Sequence, residues 1–378
     1  MSNDPGAGEE FRPILKARAR GPAHLDHLEP QLCEKAMELI LYGEATPVQI
    51  GGFLLVGRAY GDSPEELAAY ARAARSFARE IDVPGPPTVT VTGGFDGKLR
   101  TLNISAAASL LAAAAGGRTL MLGCEGTPPK AGRTIFDALR GLLIPSPHTL
   151  QEAELSLTEH GFAATSPDHY LPELYALLGL RWEMVRRTAL NVVEKLVSPI
   201  LGSRFLVGIT HRPFLESVPA ALMDLAVEHA LVFQAIEGSD EAPLDGSSAL
   251  VRVCGDEVEE LRIQPESLGL SRATKAHIPW KGEEDEARCL LGALAGEEGA
   301  VHDLILYNAA LRLWVADWDT RLADHLEIAR AVLSSGRALE LIDRLCGRVP
   351  ASRGRLLTAA KTAGYLFEDS TLDTRVLE

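Results

Sequence analysis

Apolar residues at Leu32-Cys33, Ala36-Met37 and Leu39-Ile40-Leu41 recur at helical spacing and stop at Gly43, the pattern of a helix that buries one face. Thr46-Pro47-Val48-Gln49 then reads as an N-cap, a proline at the first helical position and a glutamine that reaches back. This predicts a second helix from Val48 to about Tyr60. Ser63-Pro64-Glu65-Glu66 repeats the device and opens a third, to about Glu80. Pro84-Gly85-Pro86-Pro87 ends the helical region, and the pattern changes. Thr88-Val89-Thr90-Val91-Thr92 is a β-branched strand run, Ser105 to Ala115 a helix closed by Gly116-Gly117, Thr119 to Leu122 a strand and Thr134 to Leu142 a helix. That alternation is a βαβ rhythm and implies a mostly parallel sheet.

Leu171 to Lys195 reads as long helices that return the chain to the helical domain, with a crossing back at Ser198-Pro199. Phe205 to Ile209 reads as a buried strand, Glu216 to His229 as a helix and Ala230 to Gln234 as another strand. Ala249 to Val253 and Val258 to Ile263 form a hairpin around Gly255-Asp256, and about Glu284 to Leu345 is helical. The expected architecture is α/β: a small N-terminal helical domain plus a larger α/β domain with a mostly parallel sheet and C-terminal helices. Its parts are a disordered tail (1–10), a helical domain (11–83, joined by helices from about 170–197) and an α/β domain (84–169 and 198–365).

Composition narrows the functions. A chain of 378 residues can bury a sizeable core. Its formal net charge of −15 argues against a uniformly basic nucleic-acid surface. The basic clusters are Lys16, Arg18 and Arg20, and Arg181, Arg186 and Arg187. Five scattered cysteines without C-x-x-C spacing indicate neither a zinc site nor a disulfide framework. No apolar run approaches 18 residues, so the expectation is a cytoplasmic protein with no membrane association.

Two segments carry chemistry. Thr92-Gly93-Gly94-Phe95-Asp96-Gly97 follows a strand and runs through Lys98-Leu99-Arg100-Thr101-Leu102 into Asn103-Ile104-Ser105 and a helix. Strand, glycine loop and polar helix start are how α/β proteins build phosphate sites. Glu237-Gly238-Ser239-Asp240-Glu241 follows another strand. Adjacent carboxylates at a sheet edge repel an anion unless a cation such as Mg²⁺ lies between them; the alternative is a solvated acidic loop. His211 follows a strand end, near the expected mouth of the sheet. His160, His169 and Trp280 read as surface or packing residues, and Cys124, beside Glu125, reads as an unreactive thiol.

The arrangement resembles the anthranilate phosphoribosyltransferases, glycosyltransferases that share a fold with pyrimidine nucleoside phosphorylases. The resemblance runs through Thr46 to Leu54, Ser63 to Leu67, Thr92-Gly93-Gly94, Asn103-Ile104-Ser105, Arg187-Thr188 with Asn191, Ser198-Pro199 and Gly238 to Glu241. It implies that Thr92, Gly93, Gly94, Asp96, Gly97, Thr101, Asn103 and Ser105 bind phosphoribosyl diphosphate. It further implies that Arg181 binds the acceptor, that Asp240 and Glu241 hold Mg²⁺, and that the chain is a homodimer. The function implied is phosphoribosyl transfer to a small aromatic or amine-bearing acceptor.

Departures from the family pattern are equally specific. Val91 replaces the first loop glycine, Phe95 is inserted before Asp96, and Met121-Leu122-Gly123-Cys124-Glu125 stands where the family has Lys-His-Gly-Asn-Arg. Lys130 and Arg133 are the candidates to replace the lost cations. Tyr170-Leu171-Pro172 stands for the family's His-His-Pro, and Leu180 to Arg186 with Ile236 to Ser239 resembles a divergent branch linked to nucleic-acid binding. The alternative function is therefore a catalytically silent homologue that binds nucleic acid or a protein partner.

Overall fold

The computed structural model describes residues 8–20, 27–246 and 249–348. The expected disordered tail lies outside these residues as far as position 7, and the end of the expected α/β domain lies outside them from 349. Gly8 to Glu10 form a turn, and the Gly8 carbonyl accepts from Gln49 Nε2 at 2.8 Å.

Four helices open the chain: α1 (Phe11–Arg18), α2 (Pro30–Leu41), α3 (Pro47–Tyr60) and α4 (Pro64–Phe77). Both expected capping boxes form. The Thr46 and Ser63 hydroxyls accept from the Gln49 and Glu66 amides at 3.3 and 3.2 Å, and the side chains of Gln49 and Glu66 accept in return. Each box satisfies amides that a helix start leaves unpaired. Glu66 also anchors the bundle, accepting from Arg18 at 2.5 Å and from the Leu28 amide at 2.8 Å.

Seven strands form one sheet: β1 (Thr88–Thr92), β2 (Arg118–Leu122), β3 (Phe162–Thr165), β4 (Arg204–Ile209), β5 (His229–Gln234), β6 (Ala249–Cys254) and β7 (Glu257–Arg262). Their order is β3-β2-β1-β4-β5-β6-β7. The pairs from β3 to β5 are parallel, and the β6–β7 hairpin adds antiparallel to β5. From β1 the chain moves to β2 on one side, and from β4 to β5 on the other. The topological switch point, where open α/β sheets bind ligands, therefore lies between β1 and β4.

Alternation along β1 sorts the layers. Val89 and Val91 join the apolar cluster formed with α5 (Ser105–Ala114) and the C-terminal helices. The opposite face carries threonines: Thr90 shares a 2.8 Å hydrogen bond with Ser198, and Thr92 donates to the Lys195 carbonyl at 3.1 Å. These bonds hold the returning segment against the strand. The other core cluster packs the bundle onto β4 and β5 through Phe205, Val207, Ile209, Ala230 and Val232.

Four elements differ from expectation. Leu171 to Lys195 is broken into short helices at Pro172–Tyr175, Leu178–Met184 and Leu190–Leu196, with Val185 left-handed at φ 58°. The helix expected over Glu216 to His229 spans Phe214–Asp224, because Ala226 turns at φ 55° and His229 already belongs to β5. Helix Leu150–His160, capped by Thr149 and Glu152, and strand β3 had no expectation. The Phe-Ala-Ala-Thr sequence of β3 carries little β signal of its own.

Candidate active site

The glycine loop and the Asp240-Glu241 turn do meet. A side-chain carbon at Gly93 would collide with the Asp240 amide nitrogen, and one at Gly94 would lie 3.1 Å from the Gly238 carbonyl. Gly97, at φ 76°, closes a turn in which its amide donates to Gly94 at 2.8 Å. That amide is therefore committed internally, against the expectation that it faces a phosphate.

Asp240 and Glu241 are 4% and 0% exposed. Glu241 accepts from Lys98 Nζ and from the Ser105 amide at 3.1 Å. Asp240 accepts from the Ser105 hydroxyl and from Arg312 at 2.7 Å. Arg312, itself buried, also reaches the hydroxyls of Ser105 and Ser109, each at 2.9 Å. Burial pushes the Glu241 carboxyl up and the Arg312 guanidinium down. Two carboxylates are thus matched by two protein cations. This differs from the Mg²⁺ role expected of them: each carboxylate already has a counter-charge within the chain. The residues as placed do not fit a resident metal.

Several further loop donors are occupied as well. Glu237 accepts the amides of Leu99, Arg100 and Thr101 at 3.1, 3.2 and 2.9 Å and the Thr101 hydroxyl at 2.7 Å. These bonds outweigh burial and hold its carboxyl at about 2. The Asn103 amide donates to Glu286 at 2.6 Å, while Asn103 Oδ1 is buried without a partner. The void bounded by Gly93, Gly94, Lys98, Asn103 and Asp240 is about 20 Å³, room for about one water. The space beside Gly93 and Asp240 is small, while Gly94 and Asp96 of the same loop face a larger opening.

Arg181 is 4% exposed and grips Glu194 through two bonds of 2.8 and 3.1 Å. An internal carboxylate takes the place expected for the acceptor's. Arg18 is likewise turned inward, to Asp62 and Glu66. Each basic cluster read from the sequence therefore loses one member to the interior. Lys130 lies 3.4 Å from Asp96 and donates to the Glu237 carbonyl at 3.1 Å. Arg133 donates to the Thr101 carbonyl at 3.0 Å and stacks 3.9 Å over Trp280. Both brace the loop. Cys124 is buried, with its thiol pushed up to about 11 by desolvation.

Beside this closed network lies an open cleft of about 500 Å³ at the β1/β4 switch point. Its walls are Arg58 and Asp62 of the bundle, Gly94 to Asp96, the segment from Val185 to Lys195, and Thr210-His211 after β4. Arg187 bonds Asp96 through Nε at 3.0 Å, and the Arg58 guanidinium donates to the Arg187 carbonyl at 2.7 Å. Lys195 Nζ donates to the Gly208 carbonyl at 2.5 Å, and burial pushes this ammonium down to about 8. Sequence reading missed Lys195, Arg58 and the bracing role of Glu237, Lys98 and Arg312. Lys195 sits three residues before the flagged Ser198, but helical phase alone does not say which way it points.

Comparison with known proteins fits this geometry. Residues 12–78 match the helical bundle domain of a glycosyl transferase family and residues 88–339 match its a/b domain. An anthranilate phosphoribosyltransferase of Paramagnetospirillum magneticum is 31% identical over 312 residues, covering 82% of this chain and 89% of that one. One of Rubrobacter xylanophilus is 30% identical, covering 88% and 96%. The crystal structure of the Thermus thermophilus enzyme superposes with a TM-score of 0.77 at 29% identity, over 88% of this chain and 98% of that one. With both domains matched in order along nearly the full length of these relatives, the chain belongs to the anthranilate phosphoribosyltransferase-like glycosyl transferase family.

Proposed function

We propose that this protein transfers the phosphoribosyl group of phosphoribosyl diphosphate to a small aromatic or amine-bearing acceptor in the cleft between bundle and sheet. The observation that carries the reading is the cationic cleft at the β1/β4 switch point, where Arg58, Arg186, Arg187 and Lys195 meet the glycine loop. The acceptor nitrogen bonds to the anomeric carbon as the carbon–oxygen bond to diphosphate breaks, with the electron pair leaving on diphosphate. Negative charge gathers on the leaving group, so fixed cations nearby lower the barrier. Arg186, Arg187 and Lys195 supply that charge. The expected ligand role of Arg181 passes to these cleft residues, because Arg181 is committed to Glu194.

A related yeast enzyme has been solved in complex with phosphoribosyl diphosphate and Mg. In this chain Mg²⁺ arrives as the counter-ion of the substrate diphosphate, because Asp240 and Glu241 already have partners. The protein is a cytoplasmic homodimer in this reading, and exposed Tyr42, Val48, Leu55 and Tyr60 offer an apolar contact on the bundle; light scattering tests the dimer. No helix among the described residues is long and apolar enough to cross a membrane.

Diphosphate release from phosphoribosyl diphosphate, Mg²⁺ and anthranilate, followed together with calorimetric binding, tests the activity. Turnover abolished by Arg187→Ala supports the reading. No heat with phosphoribosyl diphosphate would sink it, and salt-sensitive binding of single-stranded DNA in its place would favour the silent homologue.

A further inference from the structure

Glu237 has no role in the chemistry above, yet it is the best-satisfied carboxylate of the region. Three successive amides, Leu99, Arg100 and Thr101, and the Thr101 hydroxyl converge on it between 2.7 and 3.2 Å, and its side chain is 3% exposed. Consecutive amides aimed at one anion form a nest, the same device that takes phosphate oxygens. Glu237 reaches it from an unfavourable backbone conformation, φ 53° and ψ 18°, immediately before Gly238 at φ 78°. A residue serving only the turn would be Gly or Asn, since a left-handed conformation costs other side chains stability.

We propose that Glu237 is the resident occupant of the loop's anion cradle and sets the affinity for phosphoribosyl diphosphate, whose diphosphate takes the Leu99 to Thr101 amides only when the Glu237 carboxylate leaves. The inference rests on the phosphoribosyltransferase reading. Gly238, next in the chain, lines the open cleft together with Gly94, so a rotation at this glycine carries Glu237 out of the nest. Lys130 fastens the turn, donating to the Glu237 carbonyl at 3.1 Å while lying 3.4 Å from Asp96 on the loop. Arg100, whose Nε is 3.7 Å from the Glu237 carboxylate, stays behind as counter-charge for an incoming anion.

The test is calorimetry of the full chain with inorganic diphosphate, paired with amide hydrogen exchange over residues 99–101. Glu237→Gln and Glu237→Ala should bind diphosphate about tenfold tighter or more, the effect of removing a charge-assisted internal competitor. Their ligand-free amides should exchange faster than wild type and be slowed again by diphosphate. Unchanged affinity, or tighter binding without renewed protection of these amides, overturns the proposal. Lys130→Met loosens the turn without touching the nest; it should raise affinity by a smaller factor. If the Glu237 variants do not fold, an affinity unchanged in Lys130→Met overturns the proposal. Wild-type turnover is measured separately. An inactive chain whose variants gain diphosphate sinks the activity alone, and an active chain whose variants gain nothing sinks this inference alone.

Discussion

Two neighbouring regions at the carboxyl edge of the sheet use the same residue types in opposite ways. In the loop region, Lys98, Arg312, Asp240, Glu241 and Glu237 are buried and each answers another group of the chain. In the cleft region, Arg58, Arg187 and Lys195 also have partners in the chain but border about 500 Å³ of open space, and Arg186 faces it exposed. A closed polar network fixes backbone position; cations that border open space stay within reach of a ligand even where they brace the chain. Charge at a sheet edge therefore identifies a ligand site only where it borders open space.

The sharpest way to break this contrast is Lys98→Met, which leaves Glu241 buried with no cation. It should destabilise the protein by about 3–5 kcal/mol in urea denaturation. A loss under about 1 kcal/mol would mean that the pair does not hold the loop region together.

Glu237→Gln comes next. The wild-type carboxyl is lowered from 4.5 to about 2, so at neutral pH the variant should lose up to about 3 kcal/mol. The sign follows from the depressed folded value. The contribution is fully present above pH 4.5 and is lost as pH falls through about 2, so the stability curves of wild type and variant should converge in acid.

Lys195→Met probes the open region and should act in the opposite direction. Burial lowers this ammonium from 10.5 to about 8. The unfolded chain therefore holds more protons between those values, and wild-type stability gains a contribution that is present above pH 10.5 and lost as pH falls through about 8. At pH 7 the variant should be more stable by about 1–3 kcal/mol and lack that pH-dependent rise, while binding phosphoribosyl diphosphate more weakly. Equal stability at all pH values would place the ammonium in water.

Arg186→Ala is the mildest test, because the side chain is exposed. Stability should move by less than about 0.5 kcal/mol. Calorimetry should show several-fold weaker phosphoribosyl diphosphate binding with a shallower salt dependence. Unchanged binding would remove the cleft's cationic wall from the proposed function.

Legibility in the sequence followed the range of the interaction. The Thr46 and Ser63 capping boxes, the β1 run and the Gly255-Asp256 hairpin were readable because each is decided within a few residues. Strand β3 was not, since its two alanines become a strand only by pairing with β2. At the site, the meeting of Gly93 with Asp240 was legible as two loops at one edge of a parallel sheet. The partners of those residues were not. Lys98 lies 143 positions from Glu241, and Arg312 lies 72 from Asp240; no local pattern links them.

The amino-acid sequence by itself determined the α/β class, the order of helical bundle and parallel sheet, and which loops gather at the sheet edge, because periodicity, caps and turn residues act locally. Tertiary structure alone decided which charges were left for a ligand. Burying a charge is costly unless an opposite charge or a set of donors meets it, so Glu237, Asp240 and Glu241 were drawn to internal partners contributed by distant segments, and Arg181 to Glu194 of a neighbouring helix. Arg186 kept its open face because the space between bundle and sheet holds no such partner for it among the described residues.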